Sequence, residues 1–209
     1  RSAIASFVIK CGRLYLYQKF LLEELLKVTD KIILVSESAL DEENRKWCIA
    51  HNVLNVQSKK NFDVSMWQQI VQSSLFRGEM MTFSELILLN DSFFGPVYPF
   101  EEVFSQMDDE NIDFWGISAH GQMVYVDGIT KKERISPRFL QRYFIVIREK
   151  MFRSAEWEEF WKELGDILEY WETEQKFEYV FSEFFEKKGF SWTSFCKTSD
   201  WEKNEPRRN

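Results

Sequence analysis

Two short apolar, β-branched runs flank an amphipathic stretch at the start of the chain, and that order limits the possible folds more than any other feature. Residues 4–10 and 31–35 (KIILV) have the length and composition of buried strands. Between them Leu14, Tyr17, Leu21, Leu25 and Val28 recur at three- and four-residue steps, with Lys19, Glu23, Glu24 and Lys27 on the other side. That spacing predicts a helix laid against a sheet. Strand, covering helix and strand make a βαβ unit, in which the strands run parallel.

The alternation continues. Residues 37–52 predict a second helix, with Asp41, Glu42 and Glu43 near its positive N-terminal end, and 53–57 a third strand. From Asp63 a third helix carries Val64, Trp67, Val71 and Leu75 on one face. The run SELILLNDSFFGP over 84–96 then reads as a strand that ends in a loop. Phe100, Val103, Phe104 and Met107 define the next helix, opened by Pro99 with Glu101 and Glu102 in its first turn. A strand over 112–118 (IDFWGIS) follows. Residues 119–137 read as a mobile polar lid with a short strand at 123–126, and 139–147 as one further strand. Ser154 is placed to cap a helix burying Trp157, Phe160, Trp161 and Leu164. A last helix holds Phe177, Val180, Phe181 and Phe184 and stops at Lys187, Lys188 and Gly189.

This predicts one α/β domain over 1–209, a mostly parallel central sheet with helices on both faces, and a tail over 202–209 that frays. Only eight glycines and four prolines, set against 44% hydrophobic and 17% aromatic residues, exclude a disordered or collagen-like chain. A net charge of −7 argues against a nucleic-acid partner. No apolar run approaches the roughly 18 residues of a membrane span, which predicts a soluble domain. Cys11, Cys48 and Cys196 show no paired spacing and suit a reducing, cytoplasmic setting. No signal-peptide pattern is visible, and the chain begins at Arg1.

Ligands of such sheets bind at the carboxyl ends of the strands, which directs attention to the loops at 10–13, 58–63 and 90–96. The last is the most informative, because an apolar strand delivers Asn90, Asp91 and Ser92 into it. Asp91 alone, or with a second acid, is adequate for Mg²⁺ or Mn²⁺ once phosphate oxygens and water complete the shell. The same three residues equally suit an Asx-turn against the local backbone. In the second loop Asp63 is either a helix cap or, with Asn61 in a left-handed turn, part of a nucleotide pocket where Lys59 or Lys60 meets a diphosphate. His51 shares its helix with Cys48 and makes no metal set, whereas His120 follows the DFWGIS strand, where a general base can stand. Dinucleotide, P-loop, hydrolase-elbow and zincin motifs are absent.

Taken in order, EELLKVTDKIILVSES, FDVSMWQQIV, SELILLNDSFFGPVYPFEEVFSQM, DFWGIS, FLQRYFIVI and FSEFFEKKGFSW resemble the rhamnan synthesis protein F family, glycosyltransferase-like proteins of bacterial rhamnose polysaccharide assembly. The resemblance implies a GT-A-like nucleotide-sugar-binding fold, a donor such as dTDP-rhamnose, and a glycan or lipid-linked glycan acceptor, with peripheral contact at the inner face of the membrane. It places the metal- and diphosphate-binding acid at Asp91 beside Asn90 and Ser92. The donor turn falls on Asn61, Asp63 and Trp67, with Lys59 upstream. Gln141 and Tyr143, with Trp115 of the DFWGIS strand, fall on the acceptor side. Asn61 stands where the family has glycine and Phe139 where it often has histidine. Because members often continue into further sequence, the resemblance implies a chain that is the transferase-like portion of a longer protein.

The expected function is therefore metal-assisted sugar transfer, with Asp91 neutralising the leaving diphosphate and Asp113 or His120 as the base. The rival, motivated by Asn61 and Phe139, is a non-catalytic glycan- or partner-binding module.

Overall fold

The computed structural model describes residues 1–197 and 207–208. β1 (Ala3–Ile9), β2 (Lys31–Ser36), β3 (Val53–Gln57), β4 (Glu85–Asn90), β5 (Phe114–His120), β9 (Phe144–Arg148) and β10 (Trp192–Cys196) form the central sheet in the order β10-β5-β9-β4-β1-β2-β3. Every pairing on that path is parallel except those of β9, which runs antiparallel to both β4 and β5. β8 (Phe139–Leu140) pairs antiparallel with the end of β5. A small separate sheet holds β6 (Met123–Val126), β7 (Glu133–Ile135) and β11 (Arg207–Arg208).

Both faces of the sheet are buried, so its strands are apolar on both sides rather than alternating. In β1, Ile4 and Val8 face one core, while Ala3, Ala5, Phe7 and Ile9 face the other. The second core is closed by α1 (Leu16–Leu25), α2 (Glu42–Ala50) and α5 (Phe100–Asp108), through Leu21, Cys48 and Phe104 among others. The first is closed by α3 (Asp63–Gln72), α4 (Ser74–Met80), α6 (Glu149–Phe152), α7 (Ala155–Glu163) and α9 (Tyr179–Lys187). Before α9 come the single turn α8 (Tyr170–Glu172) and a π-helical turn, Thr173–Glu178.

Several expected boundaries move for local reasons. The second helix starts at Glu42 because Asp41 caps it, its Oδ1 accepting from the Asn44 N–H at 2.8 Å. The helix begun at Asp63 breaks at Ser73, which is extended and caps α4, and the side chain of Leu75 lies outside the described residues. The single strand expected over 139–147 is two: Gln141–Tyr143 turn between β8, on the end of β5, and β9, which crosses between β4 and β5. The expected lid over 119–137 holds a hairpin, β6 and β7, whose turn is tied by Asp127 accepting from the Thr130 N–H and hydroxyl. Gln175 of the π turn clasps it, accepting from the Gly128 N–H at 3.0 Å and donating to the Val126 carbonyl at 2.9 Å. Of the tail expected to fray, only Arg207–Arg208 is described, paired with β6, and the rest lies outside the described residues. Ser154 caps α7 as expected, accepting from the Trp157 N–H at 3.2 Å.

The first core is mostly aromatic under α7 and α9. Phe181, 1% exposed, meets Phe114, Trp157 and Phe160 edge-on at centroid distances of 5.7, 6.4 and 5.3 Å. Phe181→Ala should cost about 3–5 kcal/mol through lost transfer energy and the cavity left behind. Urea unfolding of the two proteins checks this; a loss below about 1 kcal/mol would mean that the site collapses freely.

Candidate active site

The carboxyl ends of β1 and β4 and the start of α3 meet the β8–β9 turn and Tyr170. A small cavity there is lined by Lys10, Asp63, Asp91, Ser92, Arg142 and Tyr170, with Val8, Ile9 and Met66 as apolar wall. Its volume is about 10 Å³, room for about one water. A much larger cavity, about 690 Å³ and lined by Met80, Phe152, Trp157 and Trp161, lies away from these strand ends. Size therefore does not mark the site here; the chemistry of the lining does.

Each side chain is placed by its element. β4 is buried throughout, and Asn90 at its end stays buried while it serves two neighbours. Its amide donates to Asp63 Oδ2 at 2.7 Å, and its Oδ1 accepts from the Ser92 N–H at 3.0 Å, which closes the Asx-turn. That turn aims Asp91, half-buried, toward β1, where Oδ2 meets the Lys10 N–H at 3.4 Å. Burial is the main cause that lifts the Asp91 carboxyl above its ordinary range; Lys10 opposes it and the charge of Asp63 adds to it.

Asp63 opens α3 instead of capping it. The residue before it, Phe62, holds the positive φ of 65° that was expected at Asn61. A conformation of that kind costs about 1–3 kcal/mol in a non-glycine residue. The Phe62 ring packs at 6.4 Å from Tyr170, which helps to hold it there. Asp63 is fully engaged. Oδ1 accepts from the Val64 N–H, and Oδ2 accepts from Asn90 and from Arg142 Nε at 3.1 Å.

Arg142 is the centre of a buried ion cluster. Besides Asp63 it pairs with Glu178 and donates to the Tyr170 hydroxyl at 3.0 Å. Burial opposes its charge, but the two carboxylates outweigh burial and raise its pKa. Burial in turn pushes Glu178 up against the pull of Arg142. Lys10 Nζ lies 5.3 Å from the centre of the Tyr170 ring, so Tyr170 roofs the cavity between two cations.

Of the residues singled out in the sequence, Asp63, Asn90, Asp91 and Ser92 come together at this end of the sheet. Lys59 and Asn61 are exposed nearby, on a loop tied back by Gln69, and do not line the cavity. Trp67 and Trp115 are fully buried. Trp67 packs against Phe177 at 5.9 Å and Trp115 against Phe104 at 5.1 Å, because the helical face and strand face that carry them point into the two cores, so neither can touch a ligand. Asp113 stands at the opposite end of the sheet, just before β5, where it accepts from Lys150 and from the Ser191 N–H and hydroxyl. Those donors hold its carboxyl below the usual range despite partial burial, and it cannot act as base at Asp91. His120 is at the correct end but on β5, with β9 between it and β4; its ring stacks on Phe139 at 5.5 Å. Gln141 and Tyr143 meet at Ser118, whose hydroxyl donates to Gln141 Oε1 and accepts from the Tyr143 hydroxyl. Among the described residues, no three His, Cys, Asp or Glu side chains gather as a metal site. Sequence reasoning missed Arg142, Glu178 and Tyr170. Arg142 lies between two residues singled out by resemblance, while Glu178 and Tyr170 carried no signal.

The family model for rhamnan synthesis protein F matches residues 32–209. The chain belongs to the rhamnan synthesis protein F family. No curated protein matches it in sequence. Among solved structures, 4-diphosphocytidyl-2C-methyl-D-erythritol synthase from Anaerococcus prevotii is similar, with a TM-score of 0.53 and 11% identity over 96% of this chain and 90% of that one. Core-mannan synthase A from Aspergillus fumigatus, in its Mn/GDP form, gives a TM-score of 0.37 and 13% identity over 85% of this chain and 65% of that one. The chain thus has the mostly parallel, GT-A-like α/β fold expected from its sequence.

Two outcomes follow from the geometry. Arg142→Ala leaves Asp63 and Glu178 buried without their cation and should cost about 3–5 kcal/mol. Arg142→Lys should restore only part of it, since an ammonium cannot span both carboxylates. Equal urea midpoints for wild type and the Ala variant would refute this. The second concerns pH. Because the folded Asp91 has a raised pKa, the native state holds a proton that the unfolded chain has already lost above about pH 3.9. Wild type should therefore lose stability relative to Asp91→Asn as pH rises from there through the folded pKa, and parallel stability curves would contradict the assignment.

Proposed function

We propose that this chain transfers a sugar from a nucleotide-activated donor to a glycan or lipid-linked glycan, with Asp91 facing the donor diphosphate. The observation that carries this reading is a half-buried carboxylate at the tip of a central parallel strand, opening on a cavity that also holds Lys10 and Arg142. Among the described residues Asp91 accepts one long side-chain bond, so it has lone pairs free for one position of Mg²⁺ or Mn²⁺, which needs few protein ligands when phosphates and water supply the rest. Such an ion would supply positive charge for the leaving diphosphate. Asp63 does not join it while the Val64 N–H holds Oδ1 and Arg142 and Asn90 together hold Oδ2.

In this reaction the bond from the sugar carbon to the diphosphate breaks, with its electron pair leaving on the diphosphate oxygen. The acceptor oxygen bonds to that carbon, and its proton passes to a base. Of the two expected bases only His120 stands at this end of the sheet, and we retain it for that role. Lys10 presents its backbone N–H beside Asp91, and Ser92 is exposed next to it, so both can orient the diphosphate. The donor must displace Tyr170 from over the cavity. dTDP-rhamnose is the donor to try first, and the three free thiols suit work in a reducing cytoplasm. Among the described residues no helix is long and apolar enough to cross a membrane, so a lipid-linked acceptor would be met at the membrane surface.

The competing reading, a transferase-like module that binds glycan or partner enzymes without turnover, draws on the closed cavity under Tyr170. Thermal unfolding with nucleotide sugars, with and without Mn²⁺, separates the two. Donor at about 100 times its Kd should stabilise the protein by about 2.7 kcal/mol, and Asp91→Ala should remove the Mn²⁺-dependent part of the shift. Glycan binding with no response to any nucleotide sugar would decide for the module.

A further inference from the structure

The loop after β4 sends its two phenylalanines in opposite directions. Phe93 turns inward, parallel to Tyr143 at 5.5 Å and packed against Phe100 and Phe144. Gly95 makes room for it, since a Cβ there would lie 2.8 Å from Phe93 Cζ. Phe94 turns outward and stays 70% exposed. Its ring is parallel to Tyr17, 4.5 Å away and tilted by 16°, and Tyr17 is parallel to Tyr15, 6.2 Å away and tilted by 8°. Three rings, two from the start of α1 and one from the loop after β4, thus stand in one column at the carboxyl ends of β1 and β4.

The column is held in place from below. Gly12 packs so closely on the next loop that a Cβ would lie 2.1 Å from the Ala39 carbonyl oxygen, and its own carbonyl accepts from the Asp41 N–H at 3.0 Å. Burial does not explain the rings, because Tyr15 and Phe94 keep half or more of their surface in water. An apolar surface ordered but left exposed marks a place of contact. The column and the donor cavity also lie on different sides of the sheet. α1, which follows Tyr15, packs into the core that contains Phe100 and Phe104, whereas α3, which starts at Asp63, packs into the other. Asp91 sits at the strand end between them.

We propose that the Tyr15–Tyr17–Phe94 column is a saccharide platform, on which a pyranose ring of the acceptor rests beside Asp91 and opposite the donor cavity. The placement of donor and acceptor rests on the transferase reading above, but the platform itself does not. A pyranose presents a face of C–H bonds that suits the negative face of an aromatic ring. Its hydroxyls would meet the Tyr17 phenol, the exposed Ser92, and Arg13, whose Cζ lies 5.9 Å from the centre of the Tyr15 ring. Tyr17 lies close enough to Asp91 that, after burial, the charge of Asp91 helps to raise its phenol above the ordinary value. An anionic lipid surface is a poorer match for a chain of net charge −7.

The test titrates a short rhamnan oligosaccharide, and separately dTDP-rhamnose with Mn²⁺, into the full chain and its variants by calorimetry. Phe94→Ala, at an exposed position, should fold with an unchanged Tm and bind the oligosaccharide about five- to tenfold more weakly, with Phe94→Tyr restoring affinity. Affinity for dTDP-rhamnose should stay within about twofold of wild type in both variants. Three results would overturn the platform: no oligosaccharide binding by wild type with or without donor, oligosaccharide affinity indifferent to Phe94→Ala, or loss of nucleotide-sugar affinity alone, which would assign the column to the nucleobase. Should wild type bind the oligosaccharide through Phe94 and ignore every nucleotide sugar, the donor reading fails and the platform stands.

Discussion

One guanidinium holds the working end of this sheet together. Arg142 reaches Asp63 at the start of α3 and Glu178 at the end of the π-helical turn, with Tyr170 above it. Three segments far apart in sequence are fixed relative to one another by charges that are costly to bury alone, so the cluster tolerates no missing member. Through Asn90, which donates to the same Asp63 oxygen that Arg142 holds, the tie continues into the loop that carries Asp91. The position of Asp91 is thus secured by a network in which Asp91 itself takes no direct part.

What delivers Arg142 is the one reversed strand of the main path. Parallel strands put their carboxyl ends together and their starts at the other end of the sheet. β9 runs the other way between β4 and β5, so the residues just before it arrive where β4 finishes. Gln141, Arg142 and Tyr143 reach the site for that reason alone. The same geometry removes Asp113, which precedes the parallel strand β5 and therefore lies at the far end, tied to Ser191 and Lys150. The aromatic packing of α7 and α9 matters here too, since it backs the π turn from which Glu178 reaches Arg142.

The periodic segments were legible in sequence because each buries one continuous face. The strands at the start, the helix at Phe100 and the cap at Ser154 depend on residues next to them, and they form where the pattern puts them. The candidate loop at Asn90 was legible for the same reason, since the apolar run at 86–89 followed by three small polar residues leaves few alternatives. The break at Gln141 was not, because 139–147, apolar on both sides of Gln141 and Arg142, reads as one strand and only the pairing of its halves with different strands divides it. Trp67 and Trp115 misled for a related reason: an aromatic inside a motif looks the same whether it faces a ligand or the core. Glu178 was invisible because its partner lies 36 residues away.

Charge balance sets the condition that the proposed donor would have to meet on entry. Asp63, Asp91 and Glu178 face Lys10 and Arg142, which leaves the cluster one negative charge in excess when all are ionised. A diphosphate brings more negative charge to a partly buried place, where it is screened less than at an open surface. Either Asp91 takes a proton as the donor arrives, or a divalent cation comes with the donor and Asp91 stays ionised. Burial has already moved Asp91 toward the first state by raising its pKa. The two states pull in opposite directions with pH: acid favours the protonated form, while coordination needs the carboxylate free of its proton. An acid raised by burial yet left with an open lone pair can serve either way, so under the proposed transfer an ion accompanying the donor would decide which form Asp91 takes.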